Sequence, residues 1–340
     1  MRTAASGCAF REYMVKHLSG SGMSDRKKWL VLLQIAVTAG LLAWVFAGTD
    51  WQPLAALFKT IDPALMLAVF VLINICYLLQ GCRLFLLLPK ENPGDGSVRC
   101  RVTFFPYLYH FWRSTFHDIY VPGKLGGDIA RFVYLRRMGL ESSRLVVPFL
   151  AFRLQGLALL CYAALFILAE AVFSFNAWWL AAAALAVVLC CRYVAGKLLM
   201  LPGVLRFCAR FPVLDAVVHS TRALLSDPVR LVLTSLIYII FLAVTVLIYG
   251  LAAQAMNIVL PPDKLLTGVP VLMFAAMVPV TIQGRGLTEF LAVAIWGGTI
   301  SNEQIVATCL CIFGCTLAMQ LLAGLFWGGN ALHSRGSAPS

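Results

Sequence analysis

Two short polar tracts interrupt otherwise apolar sequence: Pro122-Gly123-Lys124-Leu125-Gly126-Gly127-Asp128-Ile129-Ala130-Arg131 and Pro279-Val280-Thr281-Ile282-Gln283-Gly284-Arg285-Gly286-Leu287-Thr288-Glu289. In the first, the glycines permit a turn with exposed backbone N–H groups, which suits an anion such as a phosphate. Lys124 and Arg131 could hold that phosphate. Asp128 stands at i,i+3 to Arg131, so a helix beginning there puts both on one face, with Asp128 capping the helix or titrating. In the second, a Gly284-x-Gly286 break encloses Arg285, and Glu289 follows it at i,i+4. The chemistry on offer is recognition of an anionic group by Lys124, Arg131 and Arg285. The two carboxylates would pair with the arginines or accept a proton. Nothing here composes a catalytic set, a metal-ligand set or a cofactor loop, so none of these is expected.

The surrounding elements must be membrane helices. Of 340 residues 61% are hydrophobic and only 12% charged, and mean hydropathy is +0.86; a soluble domain carries about 25% charge. Runs near the ~20 residues that cross a bilayer predict six full crossings, at residues 29–47, 63–88, 145–169, 178–194, 229–256 and 305–331. Two further apolar stretches, 104–134 and 269–296, contain the interruptions. Lysine and arginine concentrate in the N-terminal tail, after the second crossing and between the fourth and fifth, whereas the opposite loops hold Lys59 and Lys264. Both termini are therefore expected in the cytoplasm. The flanks of each broken stretch then lie on one face, which makes each a re-entrant hairpin, the first entering from inside and the second from outside.

The predicted fold is an all-α polytopic membrane protein of about six transmembrane helices and two opposed re-entrant hairpins in an inverted repeat. Residues 1–28 form a cytoplasmic tail, 29–331 one membrane domain with repeats at about 63–169 and 229–331, and 332–340 a cytoplasmic end. Both repeats open on Asp-Pro, at Asp62-Pro63 and Asp227-Pro228, a common helix start. The tail before Trp29 is polar and shows no secretory leader, and Met23 would be an ordinary cytoplasmic start.

Other residues carry weaker signals. Arg153, about two turns into a crossing, reads either as a third buried charge of the site or as a residue snorkelling to the interface; Arg83 at a crossing's end reads as a snorkeller. His110 and His117, seven apart, could share a helical face with Asp118; the default reading is interfacial histidines among aromatics, and the alternative is a metal or proton role. The eleven cysteines lack metal-ligand spacing and read as small core hydrophobes. The basic tract 206–230 reads as an amphipathic surface segment. The net charge of +12 is accounted for by cytoplasmic loops, and no nucleic-acid partner is expected.

At these motifs the chain resembles the integral-membrane, flippase-like domain of lysylphosphatidylglycerol synthases and its stand-alone relatives. The resemblance is carried by Pro122 to Asp128 with Arg131 and Arg136-Arg137, by Arg153-x-x-Gly156, and by Pro279 to Glu289, and it extends from about Trp29 onward. It implies a multi-pass protein of a bacterial-type inner (plasma) membrane that handles lipid. In the fused enzymes this domain is assigned the movement of aminoacylated phosphatidylglycerol between leaflets. No soluble aminoacyltransferase domain follows the last crossing, so synthesis of that lipid is not expected. Two positions depart from the family pattern: Phe152 stands where an acidic residue usually precedes the arginine, and Thr288 where an arginine often precedes the glutamate.

The expected function is transport of an anionic or phosphate-bearing lipid between leaflets. The substrate-binding set is Lys124, Gly126, Gly127, Asp128, Arg131, Arg153, Gly284, Arg285, Gly286 and Glu289. The alternatives are an intramembrane lipid-modifying transferase with Asp128 or Glu289 as base, and an accessory subunit of a lipid or glycolipid synthesis complex. The partners would be a phospholipid, a polyprenyl or hopanoid lipid, and a lipid-synthesis enzyme.

Overall fold

A computed structural model describes residues 25–88, 102–120, 125–140, 142–173, 227–277 and 281–333, and these residues are helical without any strand. The described helices are α1 (Asp25–Ala47), α2 (Trp51–Lys59), α3 (Pro63–Leu87), α4 (Phe104–Ser114), α5 (Leu125–Arg137), α6 (Ser142–Phe173), α7 (Pro228–Gln254), α8 (Pro262–Met277), α9 (Leu287–Trp296) and α10 (Asn302–His333). Among the described residues, α3, α7 and the 302–326 part of α10 are each long and apolar enough to cross a membrane. The bent pair α1 and α2, turned through 89°, counts as a fourth when the two helices are taken as one broken span. The expected crossings at 29–47, 63–88, 145–169, 229–256 and 305–331 each fall on a helix. The expected crossing at 178–194 and the 206–226 part of the basic tract lie outside the described residues. Helix α2 is not foreseen in the sequence reading. It turns at Gly48 and packs Leu54 inward while Trp51 stays exposed.

Both Asp-Pro starts fold as their chemistry requires. Asp62 Oδ1 accepts from Ala64 N at 2.8 Å, and Asp227 Oδ1 accepts from Arg230 N at 3.0 Å. Each satisfies one of the donors a helix start leaves unpaired. The helices that follow, α3 and α7, run antiparallel and form the most extensive helix pair. Asp62 N donates to Ala255 O at 2.8 Å at one end, and the Arg83 guanidinium lies 4.5 Å from the Tyr238 ring at the other. Val69, Ile73 and Cys76 of α3 meet Ile248 and Ala252 of α7 and Met319 of α10 in a buried cluster.

The two interruptions form helix–break–helix units braced against these long helices. In the first, α4 passes into a 3₁₀ turn at Thr115–Ile119 before α5. Thr115 Oγ1 lies 3.8 Å from Met319 Sδ, and the Phe116 ring fills the space beside Gly324, both on α10. In the second, a 3₁₀ turn at Ile282–Gly284 joins α8 to α9. Gly284 and Gly286 have φ of +81° and +80°, a left-handed conformation in which a Cβ is strained. A Cβ at Gly286 would lie 2.9 Å from Leu41 Cβ, so this break sits against the middle of α1. At the far end of the same unit, fully buried Trp296 donates Nε1–H to Lys264 O at 2.9 Å and fixes α9 on α8.

Candidate functional site

Helix α5 carries the centre of the first charge cluster. Arg131 and Asp128 stand one turn apart, and Arg131 Nη1 donates to Asp128 Oδ1 at 2.6 Å. The other carboxylate oxygen is taken from a different helix: Arg153 of α6 donates to Asp128 Oδ2 through Nε at 2.8 Å and Nη2 at 2.5 Å. Asp128 thus supplies the carboxylate that Phe152 does not. Arg153 joins the cluster, with its side chain 31% exposed. Arg131 is buried, donates Nε–H to Ser114 Oγ at 2.7 Å, and lies 3.7 Å from the Phe111 ring centroid. Such charge-assisted, ring-stacked geometry orients a guanidinium in low dielectric.

The expected anion-binding turn at the glycines takes another form. Gly126 and Gly127 belong to the first turn of α5, and the anion that meets them is the protein's own: Gly127 N donates to Asp118 Oδ1 at 2.7 Å. The physical reason is that a helix N-terminus exposes unpaired N–H groups, and a buried carboxylate nearby satisfies both itself and the helix. A Cβ at Gly127 would lie 2.9 Å from Arg131 Nη2 and from both Asp118 carboxylate oxygens, so any larger residue would displace one of these side chains. Gly123 and Lys124 lie outside the described residues.

The second cluster is local to its own helix. Arg285 Nη1 donates to Glu289 Oε1 at 3.0 Å, and the guanidinium lies 4.1 Å from the Phe313 ring centroid of α10. Glu289 Oε2 accepts from Gly286 N at 2.7 Å and from Thr288 Oγ1 at 2.8 Å. The glutamate therefore reaches back to cap the helix that carries it. Thr288, which departs from the family pattern, helps to hold the carboxylate.

The two breaks meet. Gln283, with φ +54°, donates Nε2–H to the Asp118 backbone oxygen at 2.9 Å, across 165 residues of sequence. Tyr77 of α3 lies in the same region, within electrostatic reach of Asp118, Arg131 and Arg285. The structure brings together Gly126, Gly127, Asp128, Arg131 and Arg153 at one break and Gly284, Arg285, Gly286 and Glu289 at the other, with this hydrogen bond between them.

Arg83 corrects an expectation. It does not snorkel; it is 1% exposed. Its guanidinium lies between the rings of Phe152 and Tyr238, at 4.2 and 4.5 Å. It donates to Gln80 Oε1 at 2.8 Å and to the Phe152 carbonyl. Gly156 makes the space: a Cβ there would be 3.2 Å from Arg83 Nη2. The spacing Arg153-x-x-Gly156 thus places one ion-pairing side chain and one clearance for a second arginine on the same helix. His110 packs edge-on against Tyr134, and His117 Nδ1 lies 3.3 Å from Ser114 O. Among the described residues no cluster of three histidine, cysteine or acidic side chains could hold a metal ion.

Sequence reasoning missed Asp118, Ser114 and Gln283 as members of the site. Asp118 and Gln283 carried a signal, each being polar at the point where an apolar stretch breaks; Ser114 carried none.

A family model described as the lysylphosphatidylglycerol synthase TM region matches residues 31–324, a span that contains both clusters. Comparison with curated proteins returns no match.

Proposed function

The chain belongs to the lysylphosphatidylglycerol synthase transmembrane family, and from that premise we propose that it moves an anionic, phosphate-bearing lipid between leaflets, with the head group handled where the two breaks meet. The observation that carries this reading is the junction itself. Gln283 links the breaks at Asp118, and the charged groups of the two breaks are Arg131, Arg153 and Arg285 with Asp118, Asp128 and Glu289. Ionisable side chains gathered at membrane depth mark a substrate pathway, and the arginines among them suit an anion.

The geometry supports a mode of action. Asp128 and Glu289 occupy the arginines when no substrate is present, and Asp118 occupies the N-terminus of α5. A lipid phosphate offers oxygens that the same arginines can bind, and protonation of the displaced carboxylates removes the cost of leaving them charged and unpaired. The ion pairs of Asp128 lie within the first half of the chain and that of Glu289 within the second. The Gln283 hydrogen bond, a neutral one, crosses between the halves. Such a bond contributes only about 0.5–1.5 kcal/mol. Rocking of the halves, as in inverted-repeat transporters, would keep these ion pairs together, while the Gln283 and Gln155 hydrogen bonds and the Arg83–Tyr238 contact between the halves would shift. Antiparallel α3 and α7 supply the packing surface expected of related, inverted halves. On this reading both termini are cytoplasmic and the two broken units are re-entrant from opposite faces of the membrane.

Reconstitution tests the proposal. In vesicles containing a head-labelled anionic phospholipid, the wild-type protein is expected to expose lipid of the inner leaflet to an impermeant quencher. Arg131→Ala and Glu289→Ala are expected to abolish that exposure in protein that remains monodisperse. Undiminished activity in both variants overturns the site assignment. A change in the mass of the lipid after incubation favours a transferase instead.

A further inference from the structure

The hydroxyl of Thr288 has a single hydrogen and two acceptors within reach, Glu289 Oε2 at 2.8 Å and Gly284 O at 3.1 Å. Both Thr288 and Glu289 are buried. A hydroxyl donates and accepts, whereas an ionised carboxylate only accepts. With Glu289 ionised, Thr288 donates to Oε2. With Glu289 protonated at Oε2, the new O–H donates to Thr288 Oγ1, whose own hydrogen turns to Gly284 O. Either protonation state of the glutamate is therefore satisfied without moving a heavy atom. Asp128 is held differently: Oδ1 and Oδ2 accept from arginine N–H groups, which have no lone pair to receive an added proton.

The charge that holds Glu289 ionised is Arg285, which donates from Nη1 to Oε1 at 3.0 Å. Among the described residues no other cation bonds this carboxylate. Tyr249 of α7 and Cys309 of α10 are within electrostatic reach of the pair, and Tyr77 of α3 is within reach of Arg285, but a phenol and a thiol supply no positive charge. Helices α1 and α8 close around the break at Leu41 and Ala276 and carry ionisable side chains only in their first turns. Arg285 Nε has no partner, which leaves the guanidinium a donor for a second anion. Once Arg285 turns to a phosphate, Glu289 is a buried carboxylate without its counter-charge, and such a group sheds its charge by taking a proton.

We infer that Glu289 is the site of a coupling proton, so that the protein carries a proton together with each anionic lipid. This rests on the transport reading above and supplies it with a driving ion. The step balances. A proton from water forms an O–H bond at Glu289 Oε2 as the Arg285 hydrogen bond to Oε1 is exchanged for one to a phosphate oxygen. Departure of the phosphate on the other face reverses both changes and returns the proton to water. A lipid bearing one negative charge then crosses as a neutral pair, without work against the membrane potential. Thr288 is part of this device: an arginine at that position would accept no proton and would hold the glutamate ionised.

The test counts protons. Short-chain phosphatidylmethanol, whose head group carries a single negative charge and no other ionisable group, is titrated into the purified full-length protein in weakly buffered detergent at neutral pH with an indicator dye. Wild type is expected to take up about one proton per lipid bound. Thr288→Val, which keeps the shape and removes the hydroxyl, is expected to lose most of that uptake at equal occupancy, and Glu289→Gln, fixed in the neutral form, all of it. In vesicles, a pH gradient is expected to shift the lipid towards one leaflet through the wild-type protein. Lipid binding without proton uptake, uptake per bound lipid undiminished in either variant, or exposure of lipid that a pH gradient leaves unchanged overturns the inference while the transport reading stands. Failure of wild type to bind the lipid overturns both.

Discussion

Around the first break, Asp128 is clamped by arginines from two helices, with Arg131 one turn away and Arg153 on α6. Around the second, Glu289 is held by Arg285 of its own unit and by Gly286 N and Thr288 Oγ1 at the start of its own helix. The ingredients are alike and the uses differ. The first carboxylate is a tertiary fastener that ties α5 to α6, and the second is a cap that shapes one helix start. An ion pair that joins helices loses more when broken than one that ends a helix.

The largest expected effect tests that contrast directly. Asp128→Ala removes the carboxylate that Arg131 and Arg153 share, and breaking a buried pair costs about 3–5 kcal/mol. Glu289→Ala removes a cap and one charged partner, with an expected cost of about 1.5–3 kcal/mol. Melting followed by size-exclusion in detergent should rank Asp128→Ala well below Glu289→Ala. Equal losses would show that the first cluster fastens no more than the second.

Alanine at the glycines sharpens the comparison. At Gly284 the added Cβ would stand 2.6 Å from Ala276 Cα, on backbone that already has φ +81°. Left-handed strain of about 1–2 kcal/mol adds there to an overpacking cost of about 1–3 kcal/mol. At Gly127 the obstacles are the ends of the Arg131 and Asp118 side chains, which can shift. Gly127→Ala should therefore be the milder in melting. Its effect should fall on transport, because it displaces Arg131 and Asp118 from each other.

The smallest effect is expected at the link between the breaks. Gln283→Ala removes one neutral hydrogen bond, worth about 0.5–1.5 kcal/mol, and leaves both ion-pair clusters intact. It should scarcely move the melting temperature while changing the transport rate, since in the proposed rocking motion the bond would form and part. A Gln283→Ala protein with wild-type rate would show that this contact does not report on the transport cycle.

Much of this was legible in the chain. The family was readable from the glycine-rich motif, and the match over residues 31–324 agrees. The Asp-Pro starts and the pairs Asp128–Arg131 and Arg285–Glu289 lie within one helical turn, where spacing alone brings side chains together. The misread residues depend on distant partners. Arg83 looks like a snorkeller until Phe152, Tyr238 and Gly156 from two other helices enclose it. The glycine turn reads as an open anion site until Asp118, nine residues upstream, folds onto Gly127 N.

By itself the sequence determined the membrane class, the two Asp-Pro helix starts, the two polar breaks and the local charge pairs, because hydrophobic run length, proline and glycine geometry and turn spacing are short-range properties. Only the tertiary structure decided which carboxylate answers Arg153, that Arg83 is enclosed, and that the breaks touch through Gln283 and Asp118. Those outcomes depend on which helix faces pack together, and in a chain whose helices are apolar on nearly every side the pattern of residues along one helix does not say which face that will be.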